Sequence, residues 1–267
     1  MSGLRLVVVG DPVDHSLSPV MHTAALASVG LEGTYEKLAV DAAGLGEVAS
    51  EMRSGRWDGV NITMPHKRLA AELSDRLAAL AYRAQSVNTW VPRHGAIEGH
   101  STDIVGVRRV FERLPDGPIV VLGTGGAAAA TVVAMEGRPM TVVARRPQAA
   151  VAMVERCGAA AGVVGWDGPV PAGVVVNCTP VGMAGEALED RLLHSATGYF
   201  EMVYASGPTP AERAARERGI PVTGGLELLA AQAEVSFELW TGQAPPAGVM
   251  YRSVDKYLKG SHGGTES

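Results

Sequence analysis

Apolar residues along this chain fall into short blocks, parted by polar or glycine-rich breaks. Residues 5–10, RLVVVG, form an apolar run that stops at Gly10-Asp11-Pro12, the pattern of a buried strand entering a turn. Ser18 is then a candidate helix cap with Pro19 at the first helical position; Met21, Ala25 and Leu26 supply an apolar face, and Gly30 stops it. Strand patterns follow at 34–40 and 57–63, separated by a short helical stretch at 42–55. Leu69, Leu73, Leu77 and Leu80 recur at helical spacing and predict one helix over 67–81. Residues 86–100 predict a hairpin that turns near His94-Gly95. The first hundred residues thus read as one α/β unit.

After Asp103 the pattern changes. It predicts a helix over 104–114, strand, glycine turn and helix over 116–137, a strand over 139–146 and a helix over 147–158. A short strand at 161–166, a strand then loop at 173–183, a strand at 198–204, a helix at 209–219 and a strand into a turn at 220–225 complete it. This alternation argues for a parallel sheet with helices on both faces. A long helical pattern, 225–242, leaves the second unit, and the tail returns to the first. The expected fold class is α/β, with two α/β domains: residues 1–103 completed by 237–260, and residues 104–236. The polar tail 261–267 predicts disorder.

Composition narrows the class. The 267 residues carry 46% hydrophobic and 19% charged side chains and a net charge of -5. That is a globular composition with neither a basic face for nucleic acid nor a cationic run for a membrane. Cys157 and Cys178 make no metal spacing and no disulfide scaffold, so a reducing compartment, the cytoplasm, is expected. The N-terminal apolar run is too short for a signal peptide or a membrane span.

Chemistry enters at Lys67. The chain has 4 lysines and 19 arginines, so where a charge only has to meet water it nearly always uses Arg. Arg stays protonated in proteins, whereas Lys can lose and regain a proton. Two readings are open: a solvated residue in a helix's first turn, or a proton-transfer group. In VVLGTGGAAAA, Gly123, Gly125 and Gly126 lie between a buried strand and an alanine-rich helix. The spacing is GxGGxA rather than GxGxxG, yet it allows a tight turn, close approach to a pyrophosphate and close helix packing; the alternative is a merely structural turn. The following strand ends in Arg145-Arg146, where an NAD site expects an acid. Two guanidiniums would clamp a 2'-phosphate and favour NADP; the alternative is a solvated pair.

Eight stretches, in order, resemble the shikimate dehydrogenase family: GDPVDHSLSP, NITMPHK, SVNT, STDIVG, GTGGAAAA, NCTPVGM, EMVY followed by TP, and GGLELLAAQAEVSFELWTG. The resemblance covers essentially the full length. It implies an N-terminal substrate-binding domain completed by C-terminal helices, and a Rossmann-like NADP-binding domain. The similar enzymes reversibly reduce 3-dehydroshikimate to shikimate in aromatic amino-acid biosynthesis. By position in the motifs, Ser16, Ser18, Asn61, Thr63, Lys67, Asn88, Asp103 and Gln232 would contact substrate, with Tyr204 at the edge. Lys67 and Asp103 would be the catalytic pair. Gly123, Thr124, Gly125, Gly126, Ala127, Arg145, Arg146, Asn177, Thr179, Met202 and Gly225 would serve the cofactor.

Read from their own chemistry, Ser16 and Ser18 offer short hydroxyls to a carboxylate, though Ser18 suits capping equally. Asn61, Thr63, Asn88 and Gln232 can each donate and accept toward ring hydroxyls. Asn61 and Thr63 alternate on one strand and so share a face. Asn88 could equally be a turn residue. Three positions depart from the family pattern: Thr23, expected to face packing, and Pro180 and Glu201, expected on the cofactor side. They leave open a paralogue such as a quinate/shikimate dehydrogenase; a non-catalytic NADP-binding regulator on the same fold is a separate reading, which would tolerate loss of Lys67 or Asp103, and both are present. His15, His22 and His66 lack metal-site spacing, and His66 is expected only to tune charge or solvent near Lys67. A small-molecule substrate is expected, with a monomer or homodimer as the assembly.

Overall fold

A computed structural model describes residues 3–204 and 207–262. In chain order the elements are β1 (Leu4–Gly10), α1 (Ser18–Ser28), β2 (Gly33–Ala39), α2 (Ala42–Arg53), β3 (Gly59–Ile62), α3 (Lys67–Leu73), β4 (Arg76–Leu77), α4 (Ala79–Ala84), β5 (Thr89–Arg93), β6 (Ala96–His100) and α5 (Thr102–Phe111). There follow β7 (Ile119–Leu122), α6 (Gly126–Ala134), β8 (Met140–Ala144), α7 (Pro147–Arg156), β9 (Gly162–Gly165), β10 (Gly173–Asn177), β11 (Ala196–Glu201), α8 (Pro210–Glu217), β12 (Val222–Thr223), α9 (Gly225–Thr241) and α10 (Val249–His262). The chain separates into two compact units. One holds residues up to Tyr82, Ser86–Thr102 and the chain from Ala230 onward; the other holds Arg83–Gln85 and Asp103–Leu229. The return to the first unit falls at Ala230, inside α9, rather than at 237.

The first unit is built on a mixed sheet ordered β2-β1-β3-β5-β6-β4. β1 runs parallel to β2 and β3, while β3, β5 and β6 are antiparallel neighbours. The hairpin turns through His94 (φ 53°) and Gly95 (φ 79°), two left-handed residues, as a two-residue hairpin requires. α9 seats on β3 through a missing side chain: a Cβ on Gly59 would lie 2.5 Å from the Trp240 ring. The Trp240 indole N–H donates to the Trp90 carbonyl at 3.0 Å.

Tertiary contacts overrule several local patterns. The single helix expected over 67–81 breaks at Ser74, which turns to extended backbone. Asp75 accepts from the Ile97 amide at 2.8 Å and pairs with Arg53 at 3.0 Å, and residues 76–77 then join β6 as strand β4. Leu69, Leu73 and Leu77 still pack against one core, so the apolar spacing records a shared destination rather than one helix. Ser18 does not cap α1. Leu17 is the N-cap, and the Ser18 amide donates instead to Ser16 Oγ at 3.3 Å. Thr23 is exposed rather than packed. β11 ends at Glu201, not 204, and α5 spans 102–111 rather than 104–114. Residues 261–262 belong to α10, against the expected disorder, and 263–267 lie outside the described residues.

The core between α1, β2 and α9 contains a histidine. His22 is fully buried, stacks on Tyr35 at 4.5 Å and lies 5.2 Å from Trp240, and neither ring nitrogen has a hydrogen-bond partner among the described residues. Burial holds it near 3 against an ordinary 6.5. The folded chain therefore keeps it neutral, and its stability contribution is complete above 6.5 and lost as pH falls toward 3. His22→Phe keeps a stacked ring that cannot take a proton. On moving from pH 7.5 to 5, the variant should gain about 2 kcal/mol relative to its parent, from about 1.5 pH units of linkage. Urea unfolding at the two pH values checks this; a pH-independent difference would refute it.

The second unit is an all-parallel sheet ordered β12-β11-β10-β7-β8-β9. Counted from β7, this is the doubly wound order 3-2-1-4-5-6, in which a ligand crevice opens between the first and fourth strands, here β7 and β10. No helix among the described residues is long and apolar enough to cross a membrane.

Candidate active site

In the first unit the parallel strands β2, β1 and β3 end together, and their loops are laced to one another. The Asp11 amide donates to the Met64 carbonyl at 3.0 Å, the Val40 amide to Gly10 at 3.1 Å and the Thr63 amide to Val9 at 2.9 Å. Thr63 lies one residue past β3, and its methyl occupies the space a side chain on Gly10 would need. Ser16 is buried on the loop entering α1 and Ser18 is buried as the first residue of α1, while His15 is exposed. His66 is buried, with Nε2 2.7 Å from the Val40 carbonyl, so it ties two loops together.

Lys67 is half-buried at the first position of α3. A cation there opposes the helix dipole, which favours acids in the first turn. Helix stability therefore does not explain a lysine at this place. Its carbonyl accepts from the Val87 amide at 2.9 Å, and the Ile62 amide donates to the Asn88 carbonyl at 2.8 Å. These bonds bring the Lys67 loop and Asn88 to one edge.

Asn88 belongs to a buried polar cluster and is not a mere turn residue. Its Oδ1 accepts from the Thr102 amide at 2.7 Å, and its Nδ2 donates to Thr102 Oγ1 at 2.9 Å and Gln232 Oε1 at 3.2 Å. Asn61 is turned into the same cluster. Tyr35 Oη donates to its Oδ1 at 2.6 Å, and its Nδ2 lies 3.1 Å from the Asn88 carbonyl, Thr89 Oγ1 and Ser236 Oγ. Tyr35, Thr89, Thr102 and Ser236 were not singled out in the sequence. Ser236 carried a signal, since it follows Gln232 by four residues and so shares its helix face.

In the second unit the glycine turn joins β7 to α6. Gly123 has φ 108°, and a Cβ there would lie 3.2 Å from the Cys178 carbonyl oxygen and from Thr179 Cγ2. It therefore has to be glycine, and it presses the turn against the loop after β10. Gly125 differs: its φ is an ordinary -81°, and among the described residues, its chain neighbours aside, no atom stands within 4 Å of a Cβ placed on it. The fold does not demand glycine there, but an approaching ligand would. Gly125 also caps α6 without a side-chain bond, so the cap leaves the first-turn amides available to an anion. Thr124, Gly126 and Ala127 are partly exposed beside it. Arg145 and Arg146 are both exposed at the end of β8, and neither forms an ion pair among the described residues. The donor set fits a dinucleotide phosphate.

Asn177, the last residue of β10, is fully buried and bonded inward. Its Oδ1 accepts from the Thr179 amide and hydroxyl at 3.1 and 2.6 Å, and its Nδ2 donates to the Val181 carbonyl and Glu201 Oε1, both at 2.9 Å. Its side chain has no capacity left for a cofactor, so it acts on the loop it holds. Met202 is half-buried, and its sulfur lies 3.2 Å from Cys178 Sγ. Gly225 is buried, and a Cβ on it would sit 2.3 Å from the Val203 carbonyl oxygen, so the start of α9 packs directly on backbone. Tyr204 is half-buried. Asp103 is buried in the first turn of α5, the end of a helix that favours an acid, directly after Thr102 of the polar cluster.

A doubly wound parallel sheet with a glycine turn at its first helix defines the class of dinucleotide-binding proteins. The family profile for the shikimate dehydrogenase substrate binding domain matches residues 8–90, and that for the shikimate 5'-dehydrogenase C-terminal domain matches residues 225–254. The NADP(+) shikimate dehydrogenase of Citrifermentans bemidjiense is 36% identical over 92% of this chain and 93% of its own. That of one strain of Thermus thermophilus is 38% identical over 92% and 96%. The crystal structure of shikimate 5-dehydrogenase from a second strain of Thermus thermophilus, in complex with NADP(H) and shikimate, superposes with a TM-score of 0.87 at 35% identity, covering 95% of this chain and 99% of that one. The chain belongs to the shikimate dehydrogenase family.

Proposed function

We propose that this chain interconverts 3-dehydroshikimate and shikimate with NADP(H), as an oxidoreductase of aromatic amino-acid biosynthesis. The observation that carries the reading is the pairing of an open glycine cradle at Gly125, followed by two arginines with no ion pair among the described residues, with full-length similarity to NADP-dependent shikimate dehydrogenases. When bound, the dinucleotide supplies or accepts the hydride. The chain's own residues bind, orient and move the proton. Amides of the Gly125–α6 start receive the pyrophosphate, and Arg145 and Arg146 receive the 2'-phosphate. Lys67 stabilises charge on the substrate oxygen during reduction and delivers its proton; Asp103 holds a substrate hydroxyl. Ser16 and Ser18 accommodate the carboxylate, while Asn88 and Gln232, whose side-chain amides Thr102 holds, read ring hydroxyls. This reading puts the enzyme in the cytoplasm, acting on a small molecule as a monomer or homodimer.

A spectrophotometric assay that crosses shikimate and quinate with NADP and NAD tests it. Turnover should be largest for shikimate with NADP. Preference for quinate would assign a quinate/shikimate dehydrogenase. Saturable NADP binding without turnover of either acid would assign a regulator on the same fold.

A further inference from the structure

Glu201 ends β11 with its side chain fully buried, and the reaction described above does not use it. Each of its oxygens has two donors. Oε1 accepts from Asn177 Nδ2 at 2.9 Å and the Val203 amide at 3.1 Å; Oε2 accepts from the Tyr199 hydroxyl at 2.6 Å and the Thr209 hydroxyl at 3.0 Å. Thr209 is the N-cap of α8, in a capping box with Glu212. One carboxyl thus joins the ends of β10 and β11 to the start of α8.

Through Asn177 the link continues. Asn177 holds Thr179 and Val181, and the Thr179 hydroxyl accepts from the Val181 amide at 3.2 Å. The same stretch supplies the Cys178 carbonyl and Thr179 methyl that abut Gly123. Glu201 therefore sits two hydrogen bonds behind the loop that walls the glycine turn at the β7/β10 crevice.

We infer that Glu201 is a positioning residue for the dinucleotide: acting through Asn177, it fixes residues 178–182 in the shape that closes the crevice. The inference rests on the NADP reading above.

The two oxygens differ in a way that suits this task. Donors on Oε1 are fixed N–H groups, so that oxygen must remain an acceptor. Donors on Oε2 are hydroxyls, which can rotate and accept a proton's hydrogen bond instead. Burial pushes the carboxyl up to about 7, against the pull of its donors, with Glu212 as a neighbouring acid and Tyr199 and Cys178 as the other titratable groups beside it. Protonation on Oε2 would leave the Asn177 bond intact. Gln reproduces that protonated form, with its oxygen toward Asn177 and its amide toward the hydroxyls. Leu fills the volume and removes every acceptor.

The test is calorimetric NADP binding to Glu201→Leu and Glu201→Gln beside the unmodified enzyme, with kcat and both KM values. Glu201→Leu should weaken NADP binding about 10-fold or more while the shikimate KM moves less than about 2-fold, because a loop no longer held must be ordered on binding. Glu201→Gln should stay within about 3-fold of the parent. A folded Leu variant with parental NADP affinity would overturn the inference, as would equal losses in Leu and Gln. If the Leu variant does not fold, Asn177→Ser decides. The Asn177 side chain is spent on Thr179, Val181 and Glu201, so an unchanged NADP affinity there also overturns it. Failure of the unmodified protein to bind NADP would instead sink the reading on which the inference rests.

Discussion

Replacing Lys67 with Ala should lower turnover about 10²-fold or more and leave NADP binding nearly unchanged. The change removes both the cation at the oxygen where charge develops and the group that exchanges its proton, each of which acts mainly in the transition state. Lys67→Arg separates the two roles. Arg restores charge but does not readily release a proton, so it should stay poor, most of all in the oxidising direction, where a base is needed. Folding should survive either change. Lys67 is half-buried at the start of α3, at the end where a cation gives the helix no support. Steady-state kinetics in both directions, with a melting curve for each variant, would check this. Near-parental turnover in the Arg variant would remove the acid/base role and leave Lys67 as a charge for binding.

The double variant Arg145→Ala, Arg146→Ala should raise the NADP KM roughly 10- to 100-fold or more, with NAD kinetics little changed. A guanidinium bonded to phosphate contributes about 1.5–3 kcal/mol. Loss of one or two such bonds corresponds to that range of affinity. Both side chains are exposed and form no ion pair among the described residues, so their removal breaks no contact that holds the fold. The single variants need not be equal, since Arg146 also occupies the N-cap position of α7 and Arg145 does not. Kinetics at one ionic strength with both cofactors separates specificity from general screening. Parental preference for NADP in the double variant would mean that the end of β8 does not read the 2'-phosphate.

Local sequence determined the features whose physics is local. The β7–α6 unit was set by an apolar run, then glycines, then alanines, and Gly123 does take the left-handed φ of 108° that such a turn needs. The hairpin at His94-Gly95 followed from a two-residue break between paired apolar stretches. Alternation of strand and helix patterns after residue 103 was enough for a parallel doubly wound sheet, because buried parallel strands are continuously apolar and each needs a crossover.

Tertiary structure alone decided the rest, because the deciding partners are far apart in the chain. A helix period over 67–81 was overruled at Asp75 by Ile97 and Arg53, about twenty residues away in either direction. Asn61 reads as a polar residue on a strand; that its amide faces Tyr35 and Ser236 depends on a helix 175 residues later. Glu201 reads as one acid at a strand end, and only folding collects Asn177, Tyr199, Val203 and Thr209 around it. Periodicity records which face of an element is apolar, which is a one-dimensional property. A buried polar group must instead find its partners in three dimensions, since leaving it unpaired costs about 1–3 kcal/mol, and that demand settled the helix break and the orientation of the site's amides.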